Sequence, residues 1–212
     1  METAAASRRR NPRGQGDALR TEMIEAAAAL LDELADDEAL SLRAVARAVH
    51  IAATSVYLHF ADRDALVLAV MHRCQQELLS LGAAAEAADP DPATQLRAQL
   101  RAQIGWALDH PGLYKVLHES AVNRRDRQAS KRALLDQTTA AIRRCIDTGA
   151  APPDDDPATI AIDLRTAVNG MLSARINAPD DPWPPAEDQL DRYLTKLVGL
   201  TPRPGARRQA AE

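Results

Sequence analysis

The chain has 212 residues, 46% of them apolar and 26% charged, with a formal net charge of −4, a balance that suits a packed core and excludes a disordered chain. No apolar stretch approaches the roughly 20 residues that cross a bilayer, and no apolar signal core follows the start, so a cytoplasmic location is expected. Cys74 and Cys145 lie far apart without CxxC spacing, with only five histidines in the chain; this argues against a disulfide framework or a zinc site and leaves two ordinary buried thiols.

In chain order, helical spacing recurs almost everywhere while alternating β-branched stretches are absent, so the fold class is all-α, with about nine helices. Asp17 is read as the cap of a first helix reaching about Ala35, with Ile24, Ala27, Leu31 and Leu34 on one stripe. Ser41 caps a short second helix carrying Leu42, Val45, Ala46 and Val49. A shorter third covers about Ala52 to His59, and a fourth starts near Asp62 or Arg63 with the stripe Leu66, Val67, Val70, Cys74, Leu78. Asp91 and Pro92 open a fifth, carrying Leu96, Leu100, Ile104 and Leu108. After His110-Pro111 come a short helix with Leu113, Val116 and Leu117, then a longer one from about Asp126 to Thr148, stopped by Gly149. Asp156-Pro157 opens a helix to about Ile176, and the last runs from about Ala186 to Val198, stopped by Gly199. The expected organisation is a flexible basic arm over 1–16, a helix-turn-helix DNA-binding domain over 17–62, a ligand-binding and dimerisation domain over 63–200, and a disordered tail over 201–212.

Two short helices a few residues apart cannot bury a core alone and must lean on the first and fourth, which is the arrangement of a helix-turn-helix. In the third helix Val56 and Phe60 share the inward face with Ala52, leaving Thr54, Ser55, Tyr57 and Leu58 outward. Small side chains let backbone approach base edges, and hydroxyls bond phosphates or bases. Ser41, at a helix N-terminus, suits a phosphate, and Arg43 can reach a phosphate or fork onto guanine. Charge alone does not decide: Arg8, Arg9, Arg10 and Arg13 form an arm, and Asp62 is the only acid between Ala39 and Arg63, yet a solvated tail with scattered surface arginines reads equally well.

The string from Ser41-Leu42-Arg43-Ala44-Val45-Ala46 to Thr54-Ser55-Val56-Tyr57-Leu58-His59-Phe60-Ala61-Asp62-Arg63-Asp64-Ala65-Leu66 resembles the TetR family of bacterial transcriptional regulators over roughly Asp17 to Val70. The resemblance implies a three-helix DNA-binding domain whose segment Ala53 to His59 enters the major groove. Tyr57, His59 and Arg63 would hold phosphates, with Arg43, Thr54 and Ser55 near bases. His50 stands where the family usually has a turn glycine, so a positive φ there would carry modest strain. Ala52 replaces the usual recognition-helix cap.

The helix after Pro157 shows Ile160, Leu164, Ala167, Val168, Met171 and Leu172 facing one way, with Ala161, Gly170 and Ala174 allowing close approach. Together with the last helix it is read as half of a four-helix bundle completed by a twofold partner. A homodimer also suits two recognition helices about 34 Å apart, or a multiple of that, on a palindrome. Ala167-Val168-Asn169-Gly170-Met171 with Pro179 to Pro184, and His110 to Tyr114, resemble the WHG type of C-terminal domain found in some of these regulators. Trp106, Tyr114, Leu117, His118, Ile142 and Met171 are candidate walls of an effector pocket. The expected function is a ligand-responsive, DNA-binding regulator without a cofactor: a repressor released from a palindromic operator by a small molecule. The alternatives are a small helical enzyme, for which no nucleophile triad, phosphate loop or HExxH motif is present, or a helical interaction module.

Overall fold

Apolar residues three and four apart, uninterrupted by proline, wind Gln15–Leu34 into α1. The computed structural model describes residues 15–122, 129–153 and 155–201, and every regular element among them is helical. The basic arginine arm and the tail beyond Thr201 lie outside the described residues. α1 ends without a glycine: Ala35 itself turns left-handed, at φ 54, while its N–H bonds Leu31 O at 2.9 Å.

The next two helices are short because each is stopped at once. α2 (Leu42–Ala48) is capped by Ser41, whose Oγ accepts the Ala44 N–H at 3.1 Å. His50, at φ 56, makes the sharp turn that frees the chain to enter α3 (Ala53–Val56). The regular part of α3 is shorter than the expected span to His59. Beyond Val56 the amides of Leu58 and His59 bond three residues back, tightening Tyr57 to His59 into a 3₁₀-like turn. Asp62 then caps α4 (Arg63–Ala87) through the Ala65 N–H at 2.8 Å.

Asp91 and Pro92 start α5 (Pro92–Asp109), with the Asp91 carboxylate accepting from Thr94 at 2.9 Å. These bonds hold the Asp91 carboxyl below its ordinary pKa. After His110 comes α6 (Pro111–Glu119), then α7 (Ala129–Asp147); the expected start of α7 at Asp126 lies outside the described residues. Asp156 caps α8 (Pro157–Asn177) in the same manner as Asp91 caps α5. The final helix, α9 (Ala186–Tyr193), continues as a π turn, Leu194–Val198, and stops at Gly199, φ 78. A side chain at Gly199 would strike Pro152 besides the backbone strain, so glycine is required there twice over.

α1 packs on α2, α4 and α6; α4 packs on α5 and α7; α5 touches α8 and α9; and α7 lies along α8. One continuous buried cluster runs from Met23 and Leu31 through Val45, Val56, Phe60, Leu66 and Val70 to Leu100, Ile142, Leu164 and Leu194. α4 is therefore a shared wall: its first turns close the N-terminal three-helix unit and its remainder builds the larger bundle. Arg97 bonds Asp191 at 2.8 Å, tying α9 to α5. Leu108, expected on the buried stripe of α5, is 39% exposed. No helix of the described residues is long and apolar enough to cross a membrane.

Candidate nucleic-acid interface and effector cavity

The end of the molecule formed by α2 and α3 carries the first candidate surface. Val56 and Phe60 are fully buried against α1 and α4, which leaves the rest of the segment facing outward. Thr54 is exposed, Tyr57 is 59% exposed and Leu58 is 84% exposed, so the hydroxyl face expected from the sequence is present. Ser55, Ala53 and His59 are only half-buried, and Ala52, expected to face inward, is exposed because it is the extended N-cap of α3 and precedes the helical face. An exposed leucine at the tip has no packing role in this chain; against duplex it can meet a thymine methyl.

Arg43 is exposed one residue into α2 and Arg47 one turn later, both without an ion-pair partner among the described residues. Ser41 is exposed as well, its oxygen engaged as cap and its O–H left to donate. Arg63 differs. It bonds Asp64 at 2.9 Å and the Glu38 carbonyl at 3.3 Å, and the Asp64 hydrogen bond holds its pKa above the ordinary value. It works as a clamp between the start of α4 and the loop before α2, which gives it an occupation other than the phosphate contact the resemblance implies.

The second candidate is a partly open cavity of about 80 Å³ lined by α4, α5, α6, α7 and α8. Trp106, Tyr114, Leu117 and His118 line it, as expected. Ile142 and Met171 do not: both are core residues, only 0% and 4% exposed. On α7 the cavity is reached by Leu134, and Ile142 lies eight residues on, about 12 Å along the axis. On α8 the lining residues Arg165, Val168, Asn169 and Leu172 follow one helical face, and Met171 falls off it. Sequence reasoning missed Gln75, Gln103, Arg165 and Asn169. The available signal was a polar residue set directly beside an apolar stripe, as Gln75 follows Cys74 and Arg165 follows Leu164, but that pattern does not give the cross-helix meeting point.

The cavity is sparsely satisfied. The Tyr114 hydroxyl donates to the Asn169 carbonyl at 3.1 Å and its ring lies 4.3 Å from that of His118. Burial first, then Glu119, pushes the Tyr114 pKa up to about 12, so it stays a donor. Gln75 Oε1, Gln103 Nε2 and Trp106 Nε1 are buried with no hydrogen-bond partner.

The surface and the cavity are joined through Asp32 near the end of α1. One of its oxygens accepts the amides of Gly112 and Leu113 at 2.9 and 3.0 Å, and the other meets His110 Nδ1 at 2.8 Å. A residue of α1 thus caps α6, the helix that supplies Tyr114, Leu117 and His118 to the cavity.

On α8, the large stripe Ile160, Leu164, Val168, Met171 and Leu172 is buried within the chain's own core, so that stripe is not the expected partner-facing surface. The outward face is a different one: Ile162, 51% exposed, with Thr166 and Gly170. Among the described residues no group of histidine, cysteine and carboxylate side chains is placed to hold a metal.

Residues 23–70 match the family model described as bacterial regulatory proteins, tetR family, and residues 96–198 match that described as tetracyclin repressor-like, C-terminal domain. No curated protein matches the chain. Among solved structures, a putative TetR-family transcriptional regulator from Mesorhizobium loti superposes with a TM-score of 0.69 at 16% identity, covering 89% of this chain and 98% of that one. SmeT, the repressor of the Stenotrophomonas maltophilia multidrug efflux pump SmeDEF, gives 0.69 at 21% identity over 89% and 96%. FadR of Bacillus subtilis in complex with stearoyl-CoA gives 0.71 at 11% identity over 84% and 97%. At these identities the likeness is one of fold.

Proposed function

The chain belongs to the TetR family of DNA-binding transcriptional regulators, and from that premise we propose that it is a homodimeric repressor that lets go of a palindromic operator when a small molecule enters the cavity. The observation that carries the reading is the outward face of α3 and its following turn, Thr54, Tyr57 and Leu58, beside the unpaired Arg43 on α2. Arg43, Thr54 and Ser55 read base edges, while Ser41, Tyr57 and His59 hold the backbone. The unit over 17–62 does the reading and that over 63–200 the sensing and pairing, with the protein acting in the cytoplasm, where a chromosome is found.

Release follows from the Asp32 joint. A ligand that needs more room than about 80 Å³ must displace α6, and α6 is bonded to α1, so the ligand-bound core and the operator-bound core favour different placements of the N-terminal unit. SmeT and FadR, which share the fold, are a repressor and a regulator seen with stearoyl-CoA; each supports an effector-controlled repressor as the class. Pairing is assigned to α8 and α9, through the small-residue face around Gly170 and Ile162 and through Leu197, itself 36% exposed.

The test is selection of a preferred duplex from a randomised pool with the full-length protein, followed by a salt titration of its affinity. A twofold-symmetric site is expected, with binding falling by about 10³-fold or more between 50 and 200 mM salt. Equal, weak binding to every duplex would overturn the reading.

A further inference from the structure

The cavity walls carry one full charge whose sign is fixed. Arg165 lines the cavity, no aspartate or glutamate does, and among the described residues no carboxylate pairs with its guanidinium. Burial lowers its pKa from the ordinary value, and Tyr114 offsets part of that effect. Arg165 is half-buried, and a guanidinium on the wall of a cavity that carries no carboxylate is placed to meet an anion there.

Of the three orphan atoms at the cavity two are donors, while the third, Gln75 Oε1 on α4, is an acceptor left for a ligand hydroxyl or N–H. Gln103 Nε2 and Trp106 Nε1 are N–H donors without acceptors, buried on the same wall formed by α5. Trp106 is 6% exposed, so solvent does not serve it. Leu78, Leu100, Ile104 and Leu134 give the cavity an apolar side, while Gln75, Tyr114, His118 and Asn169 add polar groups elsewhere on its wall.

We propose that the effector of this cavity is a compact carboxylic acid, its carboxylate held by Arg165, Gln103 Nε2 and Trp106 Nε1 and its apolar body seated among those four aliphatic side chains. The proposal rests on the reading of the chain as an effector-controlled regulator and names the chemistry of its ligand. A carboxylate fits the guanidinium fork with two oxygens and one charge. A phosphate dianion would leave a charge uncompensated in an apolar chamber, and a cation would face Arg165 directly. At about 80 Å³ the chamber, below the roughly 300 Å³ of the smallest usual ligand sites, favours a small body such as a single ring or a short chain, and seating even that body moves α6 outward.

The experiment is calorimetric titration of the full-length protein with benzoate and hexanoate against benzamide and hexanamide, in the natural chain and in Arg165→Met and Trp106→Phe. An acid is expected to bind about tenfold or more tightly than its amide, the worth of a hydrogen bond to a charged group. Arg165→Met abolishes that preference with little change in melting temperature, since the half-buried guanidinium has no ion-pair partner to lose among the described residues. Trp106→Phe narrows the preference without abolishing it. Amides binding as tightly as acids, neither acid binding, or an undiminished preference in Arg165→Met each overturn the proposal. Binding of the selected duplex by Arg165→Met, measured in parallel, keeps the two ideas apart: loss of duplex preference in the natural chain counts against the regulator, whereas unselective ligand binding with the duplex still held counts against the acid alone.

Discussion

Asp32 and Gly112 are 80 positions apart in the chain and meet at 2.9 Å, the carboxylate of one accepting the amide of the other. A Cβ on Gly112 would overlap the Asp32 backbone carbonyl oxygen, so the two helices touch at van der Waals limit as well as through the hydrogen bond. The joint is therefore specific in both partners and ties α1 to α6, beside the Glu25–Arg73 ion pair that ties α1 to α4.

Two substitutions separate its roles. Asp32→Ala removes the cap of α6 and is expected to cost about 1 to 2 kcal/mol, or several degrees of melting temperature for a chain of this size. Gly112→Ala keeps every hydrogen-bonding group but forces α1 and α6 apart, at a cost of about 1 to 3 kcal/mol. Both should change duplex affinity or its response to ligand more than Leu108→Ala, an exposed control on α5. Calorimetric melting and duplex titration check this, and unchanged regulation in Gly112→Ala would show that the joint carries no signal.

On the duplex face, Arg43→Ala should weaken binding to the selected site by about 1 to 3 kcal/mol if the guanidinium forks onto a guanine, relaxing sequence preference at one position. Tyr57→Phe should weaken all duplexes alike, because a phenol on a phosphate carries no sequence information. Since Tyr57 is 59% exposed and Arg43 has no described partner, neither change should alter stability by more than about 0.5 kcal/mol.

Two left-handed residues without glycine mark removable strain. Ala35 at φ 54 and His50 at φ 56 each sit in a region costing about 1 to 2 kcal/mol for an L-residue. Replacement by glycine removes that cost and adds about 0.5 to 1 kcal/mol of unfolded-state entropy. Ala35→Gly should thus stabilise the chain slightly, and His50→Gly by less, because histidine visits this region more readily than most residues. Urea midpoints at constant slope decide it.

The His50 case also shows what was legible beforehand. A histidine in the position of a turn glycine pointed to a positive φ, and the backbone has one, because the tight angle between α2 and α3 is fixed by Val45, Val56 and Phe60 all reaching the same core. Caps at Ser41, Asp91 and Asp156 were readable since each acts within three residues. Arg165 and the Asp32 joint were not, because they depend on where α1, α5, α6 and α8 cross, and spacing along one helix carries no information about its neighbours. Arg63 shows a different limit: motif position implies a phosphate ligand, while the structure shows it bonded to its neighbour Asp64 and to the Glu38 carbonyl 25 positions back, a contact that spacing along one helix does not give.

The cysteines make a test of burial. Desolvation pushes Cys74 and Cys145 each to about 11 from an ordinary 9.0. At pH 8 the thiolate fraction is then about one in a thousand, and neither thiol should react with iodoacetamide until the protein unfolds. Because the folded values lie above the unfolded one, this contribution to stability is complete below pH 9 and is lost as pH rises toward 11. Mass spectrometry after alkylation, with and without urea, reads the first statement, and melting across pH 8 to 11 the second.

Gly170 offers a test of the proposed pairing face. A Cβ built there meets nothing within 4 Å, although the residue sits inside α8 where glycine is a poor helix former. Within one chain, Gly170→Ala should therefore stabilise by about 1 kcal/mol, and even Gly170→Phe has open space to fill. In a pair that closes over this face the same phenylalanine enters the partner. Sedimentation of Gly170→Phe should show a monomer that melts cooperatively, with duplex affinity and its salt slope both reduced because only one half-site is held at a time. A dimer that survives Gly170→Phe would move the contact away from the centre of this face, leaving Leu197 on the π turn as the surface to test next.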